Sequence, residues 1–390
     1  MRIAFFNDSF HPWKDGVILV VDNYARLMSK GNEVVVFAPK ANKKVKYDDS
    51  IYPFKVVRVK TSRLLKSFYR IDYDVPVPRL DGKFKRTLSG YNFDIVHLHS
   101  PFGMGHAGLK FAKKNKIPVV ISMHSQFHRD FERFTKIKLL QKFCIRHIIK
   151  VYNACDECYA VNPAIAKLFV DYGYKREPKI MFNATEMTPV KDFEAAKRDI
   201  DKLYGLERDD KVLLFVGRIS VLKNLVFLIN SLNELKKVGG KFKMFFVGYG
   251  KDEIKLKKMC ERLDLYPDII WTGKVDDRER LKKIFARADL FLFPSLYDAN
   301  SIVQIEAASQ KTPTVFLKGA ATASMTAHGV NSFHAENDEK KFALAVFELL
   351  NNEVLLKELG DNAFRDIYRT WNDIVKDMMK EYERIIESKK

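Results

Sequence analysis

Apolar residues along this chain fall into short unbroken runs separated by longer stretches in which they recur every three or four positions. In the first half the runs lie at residues 2–6, 33–37, 94–99, 118–123, 156–161 and 180–182. After a polar, charged interval at 183–198 the pattern restarts, with runs at 212–216, 242–247, 269–271, 290–293 and 314–317. Runs that do not alternate with polar residues suit strands covered on both faces. Their interleaving with helical segments predicts parallel sheets wound by right-handed crossovers. A chain of 390 residues exceeds the size at which one core stops growing. Two α/β domains are therefore expected, at 1–185 and 186–370, with a cleft between them. The tail at 371–390 supplies a helix long enough to cross back onto the first domain.

The stretch from Leu290 to Pro313 organises the second half. Leu290–Phe293 is a strand closed by Pro294, and Ser301 with Gln304 predicts an N-cap and capping box for the helix that follows. This puts Asp298 in the loop and Glu306 little more than one turn into the helix. Two carboxylates then face the carboxyl end of a strand, where ligands of open α/β sheets bind, beside a helix N-terminus suited to phosphate. Upstream, Val216-Gly217-Arg218 and Lys223 place two cations just past a strand, a pattern fitted to a diphosphate. Gly248 and Gly250 form a single GxG, which is weak evidence for a dinucleotide. In the first half, a long loop from Asn7 ends in Gly16, where bare backbone could approach a phosphate or sugar, and His124 stands at a strand's carboxyl end.

Charge alters this picture because it is unevenly shared. Residues 1–190 hold 33 Lys and Arg against 17 Asp and Glu, so nearly all of the net +19 sits in the first half. That points to an anionic partner, a membrane surface or nucleic acid, or to a plain solvated basic surface. No nucleic-acid module or aromatic platform is recognisable, and nucleic acid ranks low. Residues 128–150 read as one basic amphipathic helix, fitting either a membrane interface or a core helix with a solvated lysine face. Lys43 to Arg70 reads as a loop-rich basic insertion. His97 and His99 share a strand face without an evident third ligand, which favours structural histidines over a metal site. Cys155 and Cys158 form a lone CxxC, read as ordinary thiols, and four cysteines make no disulfide framework. No run reaches the roughly eighteen apolar residues of a spanning helix, and Asn7 and Asp8 interrupt the start too early for a signal peptide. A cytoplasmic location is expected, peripheral on the inner face of the plasma membrane.

Taken together, Gly16, the 94–101 strand, His124, Gly217-Arg218 with Lys223, Gly248 and Gly250, Gly273, and the Asp298/Glu306 pair with seven residues between them fall in the order of one family. The chain resembles the retaining GT-B-fold glycosyltransferases of the large family 4 type, which includes sucrose and glycogen synthases, phosphatidylinositol mannosyltransferases and glucosyl-diacylglycerol synthases. The resemblance implies two Rossmann-like doubly wound domains and a nucleotide-diphosphate sugar as donor, with a UDP-sugar favoured. It further implies that Arg218 and Lys223 hold the diphosphate, that Glu306 binds ribose hydroxyls, and that Asp298 with the backbone of Ala299, Asn300, Ser301 and Ile302 holds the donor sugar. Gly16, Gly217, Gly248, Lys274 and Val275 would complete the donor site, and His124 would approach the sugar from the opposite lobe. The implied acceptor is a lipid, lipid-linked or envelope glycan, and neither a cofactor nor an obligatory metal is expected. Asp298 stands where the family usually has Glu, Ala184 and Ser332 where it often has Gly, and residues 319–324 depart from its glycine-rich turn. These departures keep a non-catalytic partner of another glycosyltransferase as the alternative.

Overall fold

The computed structural model describes residues 1–13, 15–41, 47–64 and 74–389. The chain forms two compact units, Met1–Asn183 with Trp371–Lys390, and Ala184–Thr370.

The first unit carries a seven-stranded, all-parallel sheet built from β1 (Arg2–Phe6), β2 (Glu33–Pro39), β3 (Lys55–Val59), β6 (Ile95–Leu98), β7 (Val119–Met123), β8 (Glu157–Ala160) and β9 (Lys179–Ile180), in the order β3-β2-β1-β6-β7-β8-β9. A short antiparallel pair, β4 (Thr61–Ser62) and β5 (Val75–Pro76), stands apart from it. The central strands are buried throughout, as their unbroken apolar runs require. Strand order reverses between β1 and β6, and the carboxyl ends there deliver Asn7 and Asp8 on one side and His99 and Ser100 on the other. Asp8 has a structural task. Its Oδ1 accepts from Met104 N at 3.0 Å and its carboxylate also accepts from Ser100 Oγ, so it supplies the N-terminal cap that Phe102, the residue at the cap position of helix Gly103–Lys114, cannot.

The terminal helix, Trp371–Glu387, buries Trp371, Ile374, Val375, Met378, Tyr382 and Ile385. Within the first unit Trp371 meets the Tyr24 ring edge-on at 5.9 Å, and Glu381 accepts from Lys179 Nζ at 2.7 Å. The Tyr382 hydroxyl lies 2.5 Å from His97 Nδ1 beneath the sheet's central strands. Burying these apolar faces stabilises the docked helix by about 25 cal/mol per Å² of apolar surface removed from water.

The second unit has a six-stranded parallel sheet of β10 (Val212–Val216), β11 (Lys243–Val247), β12 (Ile269–Gly273), β13 (Leu290–Phe293), β14 (Thr314–Leu317) and β15 (Phe333–Ala335), ordered β12-β11-β10-β13-β14-β15. Renumbered within the sheet, this is the 3-2-1-4-5-6 order of a dinucleotide fold, and its switch point lies between β10 and β13.

Two readings of the first unit are corrected. Part of the basic insertion is the edge strand β3, paired in parallel with β2; Val56, Val57 and Val59 are too few to show a period. Lys43–Lys46 and residues 65–70 lie outside the described residues. The single helix expected over 128–150 is two, Phe127–Phe134 and Lys138–Ala154. Thr135 breaks it by turning extended at φ −146°, ψ 145°, while its Oγ1 accepts from Ile137 N and its carbonyl from Gln141 Nε2 at 2.8 Å.

Candidate active site

The switch point of the second sheet gathers most of the expected residues. β10 ends at Val216 and the chain continues through Gly217 at φ +154°, a backbone conformation that L side chains rarely adopt. Gly217 N donates to Val247 O at 2.9 Å, Ile219 N to Tyr249 O at 3.0 Å, and Gly248 N to Gly273 O at 2.9 Å. The loops leaving β10, β11 and β12 are thereby laced together beyond the sheet. The lacing leaves no room for side chains: a Cβ on Gly248 would lie 1.9 Å from Gly217 O, and one on Gly250 2.0 Å from Ile219 O. The GxG is thus first a packing device. Arg218 stands exposed beyond the lacing.

Lys223 ends a 3-10 turn, Val221–Lys223, whose start is held by Ser220 and by Val221 N donating to Asp252 Oδ2 at 2.9 Å. Its ammonium is ion-paired with Asp298, and both side chains are largely buried. The pair ties the loop after β10 to the loop after β13. Asn224 adds a second tie, donating to Pro294 O at 3.3 Å from a left-handed backbone. Helix Leu225–Lys237 starts at Asn224 and helix Ile302–Ser309 at Ser301, neither with a side-chain cap. Two N-termini with uncapped N–H groups thus lie next in sequence to the Lys223 and Asp298 loops, a disposition that favours an anion.

The capping box expected at Ser301 and Gln304 does not form. Gln304 Nε2 donates instead to Asn300 Oδ1 at 2.8 Å and contacts Met325 Sδ at 3.1 Å. The amide finds partners within its own helix start and the neighbouring turn, and these replace the reciprocal bond to the cap. Ala299 is buried, and Ile302 opens the helix. Lys274 pairs with Asp276 through an exposed contact, and Val275 packs on the core.

Glu306 is buried, and its partner is none of the expected residues. Arg278 Nη2 donates to Glu306 Oε1 at 2.6 Å, while Arg278 Nε lies 3.6 Å from Glu186. Burial pushes the Glu306 carboxyl up, and the Arg278 charge and hydrogen bond pull against that rise. Arg278 was hidden in the polar run Asp276-Asp277-Arg278-Glu279-Arg280. Its only sequence signal is its place, the first helical residue after Asp277, whose side chain caps the helix.

The remaining expected residues belong to the first unit. Gly16 opens helix Gly16–Met28, whose cap is Asp15, and a Cβ there would meet nothing within 4 Å. The fold therefore does not itself demand glycine at 16. His124 follows β7 and stacks on His99 at 5.3 Å, with His124 Nε2 at 3.1 Å from His99 Nδ1. His99 stacks in turn on His97 at 4.1 Å, and His97 is held by Ser122 at 2.8 Å and by Tyr382. Burial drives His124 down to about 4 and holds His97 and His99 well below the ordinary imidazole value, so all three rings are neutral at physiological pH. Between His99 and His124 one ring donates and the other accepts.

Among the described residues no three His, Cys, Asp or Glu side chains are grouped to hold a metal ion, and no helix is long and apolar enough to cross a membrane. Cys155 and Cys158 are buried thiols that donate to Val151 O and Tyr152 O.

Comparison with known proteins follows the same division. Residues 16–183 match the family model described as Glycosyltransferase Family 4, and residues 196–366 the model described as Glycosyl transferases group 1. The chain is 25% identical to an alpha-monoglucosyldiacylglycerol synthase of Acholeplasma laidlawii, over 93% of this chain and 92% of that protein. It is likewise 25% identical to a GDP-mannose-dependent alpha-mannosyltransferase of Corynebacterium glutamicum, over 99% and 89%. In structure it is similar to Anabaena HepE in complex with UDP, with a TM-score of 0.79 at 16% identity over 98% of this chain and 100% of that one. That likeness identifies the GT-B fold.

Proposed function

We propose that this chain, which belongs to the GT-B glycosyltransferases of the group 1 and family 4 type, moves a hexosyl unit from a nucleotide-diphosphate sugar to a lipid, lipid-linked or envelope glycan acceptor with retention of anomeric configuration. The observation that carries the reading is the switch point. Lys223, Arg218 and two uncapped helix N-termini follow the carboxyl ends of β10 and β13, and the buried Glu306 lies in the second of those helices. In this reading Arg218 and Lys223 stabilise the charge that grows on the departing diphosphate as the anomeric C–O bond breaks. The acceptor oxygen attacks the same face, and its proton passes to the diphosphate oxygen. Asp298 accepts hydroxyls of the donor sugar and Glu306 those of the ribose. No step draws on a cofactor.

UDP is the favoured nucleotide, supported by the UDP bound in the Anabaena structure, while the mannosyltransferase relative is named for GDP-mannose. A thermal-shift panel of UDP- and GDP-sugars decides between them, because a ligand bound only by the folded state must raise its melting temperature. A panel in which no nucleotide sugar shifts the midpoint sinks the assignment.

The acceptor reading is supported by the surface of the first unit. Ile137, Leu139 and Phe143 are 63%, 77% and 66% exposed, and Lys136, Lys138, Lys142 and Arg146 surround them in the chain. Exposed apolar side chains set among cations suit an anionic bilayer surface, which would present a lipid acceptor to the cytosolic face.

A further inference from the structure

We propose that Arg278 is a positioning residue for the nucleotide's ribose: its guanidinium grips one oxygen of the Glu306 carboxylate and leaves the other for a sugar hydroxyl. This rests on the donor-binding reading given above. The geometry is specific. Arg278 is the first residue of helix Arg278–Arg287, whose N-cap Asp277 accepts from Glu279 N at 2.9 Å and Arg280 N at 3.2 Å, so the side chain departs from a fixed backbone. Glu306 lies in helix Ile302–Ser309, and its backbone carbonyl is held by Ser309 Oγ at 2.6 Å. Between these two anchored points the Nη2–Oε1 bond measures 2.6 Å, and among the described residues the hydrogen bonds of the Glu306 side chain all go to Oε1.

A carboxylate this buried is costly without a cation. Left alone, Glu306 would take up a proton, and a protonated carboxyl offers a ribose diol one acceptor fewer. The charged groups facing Glu306 are Arg278, which favours the anion, and Glu186, which opposes it. Glu186 is 66% exposed and its influence is screened by water, so Arg278 dominates. Arg278 itself is half-exposed, its fork spanning from the buried carboxylate to Glu186 at the surface. The arrangement makes donor affinity depend on a residue outside the acidic pair.

Burial raises the Glu306 carboxyl and Arg278 holds it down, so removing Arg278 lets Glu306 protonate at higher pH and weakens nucleotide binding on the acid side. The test is calorimetric titration of the full chain with UDP and with GDP between pH 5.5 and 8.5, for wild type, R278M, R278K, E306Q and the R278M/E306Q double variant. In R278M the Kd is expected to rise by about tenfold for each pH unit lost, the slope of a single proton uptake, and to recover at alkaline pH. R278K keeps the charge without the fork and should lie between. E306Q, which cannot titrate, should bind weakly with no such slope, and the double variant should match it. Transfer assays on R278M should show a raised donor KM with kcat within about twofold, since Arg278 meets none of the groups assigned to the leaving diphosphate.

An R278M profile parallel to wild type overturns the proposal and leaves Arg278 a purely structural partner, visible only as a lower melting temperature. A slope that persists in the double variant also overturns it, because the titrating group is then another. If R278M does not fold, R278K and E306Q decide by the same criterion. Wild type that binds neither nucleotide at any pH fails the donor-binding reading itself, a result distinct from binding that ignores Arg278.

Discussion

Lys223 and Asp298 form an ion pair that joins the loop after β10 to the loop after β13. A diphosphate that takes Lys223 must compete with that carboxylate. The D298N variant removes the competing charge and keeps the shape, so UDP should bind about tenfold more tightly while sugar transfer falls. K223A should lose about 10²-fold or more in turnover through the missing leaving-group cation. Calorimetry for D298N and initial rates for K223A check the pair, and UDP binding unchanged in D298N would contradict it.

Glycines 248 and 16 separate packing from ligand approach. G248A forces a Cβ to 1.9 Å from Gly217 O at a backbone φ of +138°, and should cost about 3 kcal/mol in urea unfolding. G16A meets nothing within 4 Å and should leave stability within about 0.5 kcal/mol while weakening nucleotide-sugar binding. Unaltered nucleotide-sugar affinity in G16A removes that glycine from the donor site.

The stacked imidazoles make stability acid-sensitive. His97, His99 and His124 titrate near 6.5 when unfolded and lower when folded, His124 at about 4, so below pH 6.5 the unfolded chain binds more protons. Their favourable contribution is whole above pH 6.5 and drains as pH falls toward 4, by up to about 1.4 kcal/mol per pH unit for each ring. Urea midpoints at pH 7.5, 6.5 and 5.5 should decline accordingly, and H124N should flatten the decline by one ring's share. Midpoints that do not decline across this range would show that the rings are not buried neutral.

Tyr382 holds the terminal helix through His97 at 2.5 Å. Y382F strands a buried imidazole nitrogen and should cost about 1–3 kcal/mol. Limited proteolysis should then release the 371–390 segment sooner than in wild type. Equal cleavage rates would show that the contact contributes nothing to docking.

The double variant L139E/F143E should lower sedimentation with anionic vesicles by at least about tenfold, and raised salt should weaken binding of the unaltered chain. Vesicle binding that neither the charges nor the salt changes would place the lipid contact elsewhere.

Both parallel sheets were readable because their strands are buried on both faces and leave unbroken apolar runs, as at Leu290–Phe293. The Arg/Lys and acidic motifs could be read because they sit at fixed offsets from strand ends. What the chain concealed are relationships without local period. Asp8 caps a helix that starts near residue 103, Arg278 finds Glu306 across two helices, and His99 meets His124 across adjacent strands. The break at Thr135 was masked because the apolar spacing of 128–150 runs through it, although the backbone turns extended. Gln304 reads as a capping-box residue, but its amide turns to Asn300, four residues earlier, and to Met325 in the neighbouring turn.

The terminal helix carries a consequence for biosynthesis. The first unit takes Tyr382, Met378 and Trp371 from the last twenty residues of the chain. On the ribosome its seven-stranded sheet emerges early yet lacks that covering, and the whole second unit is translated before the missing piece appears. The half that is made first is therefore completed only after the second unit has been made, and until then the buried faces around Tyr24 and His97 are exposed to chaperones and to neighbouring nascent chains.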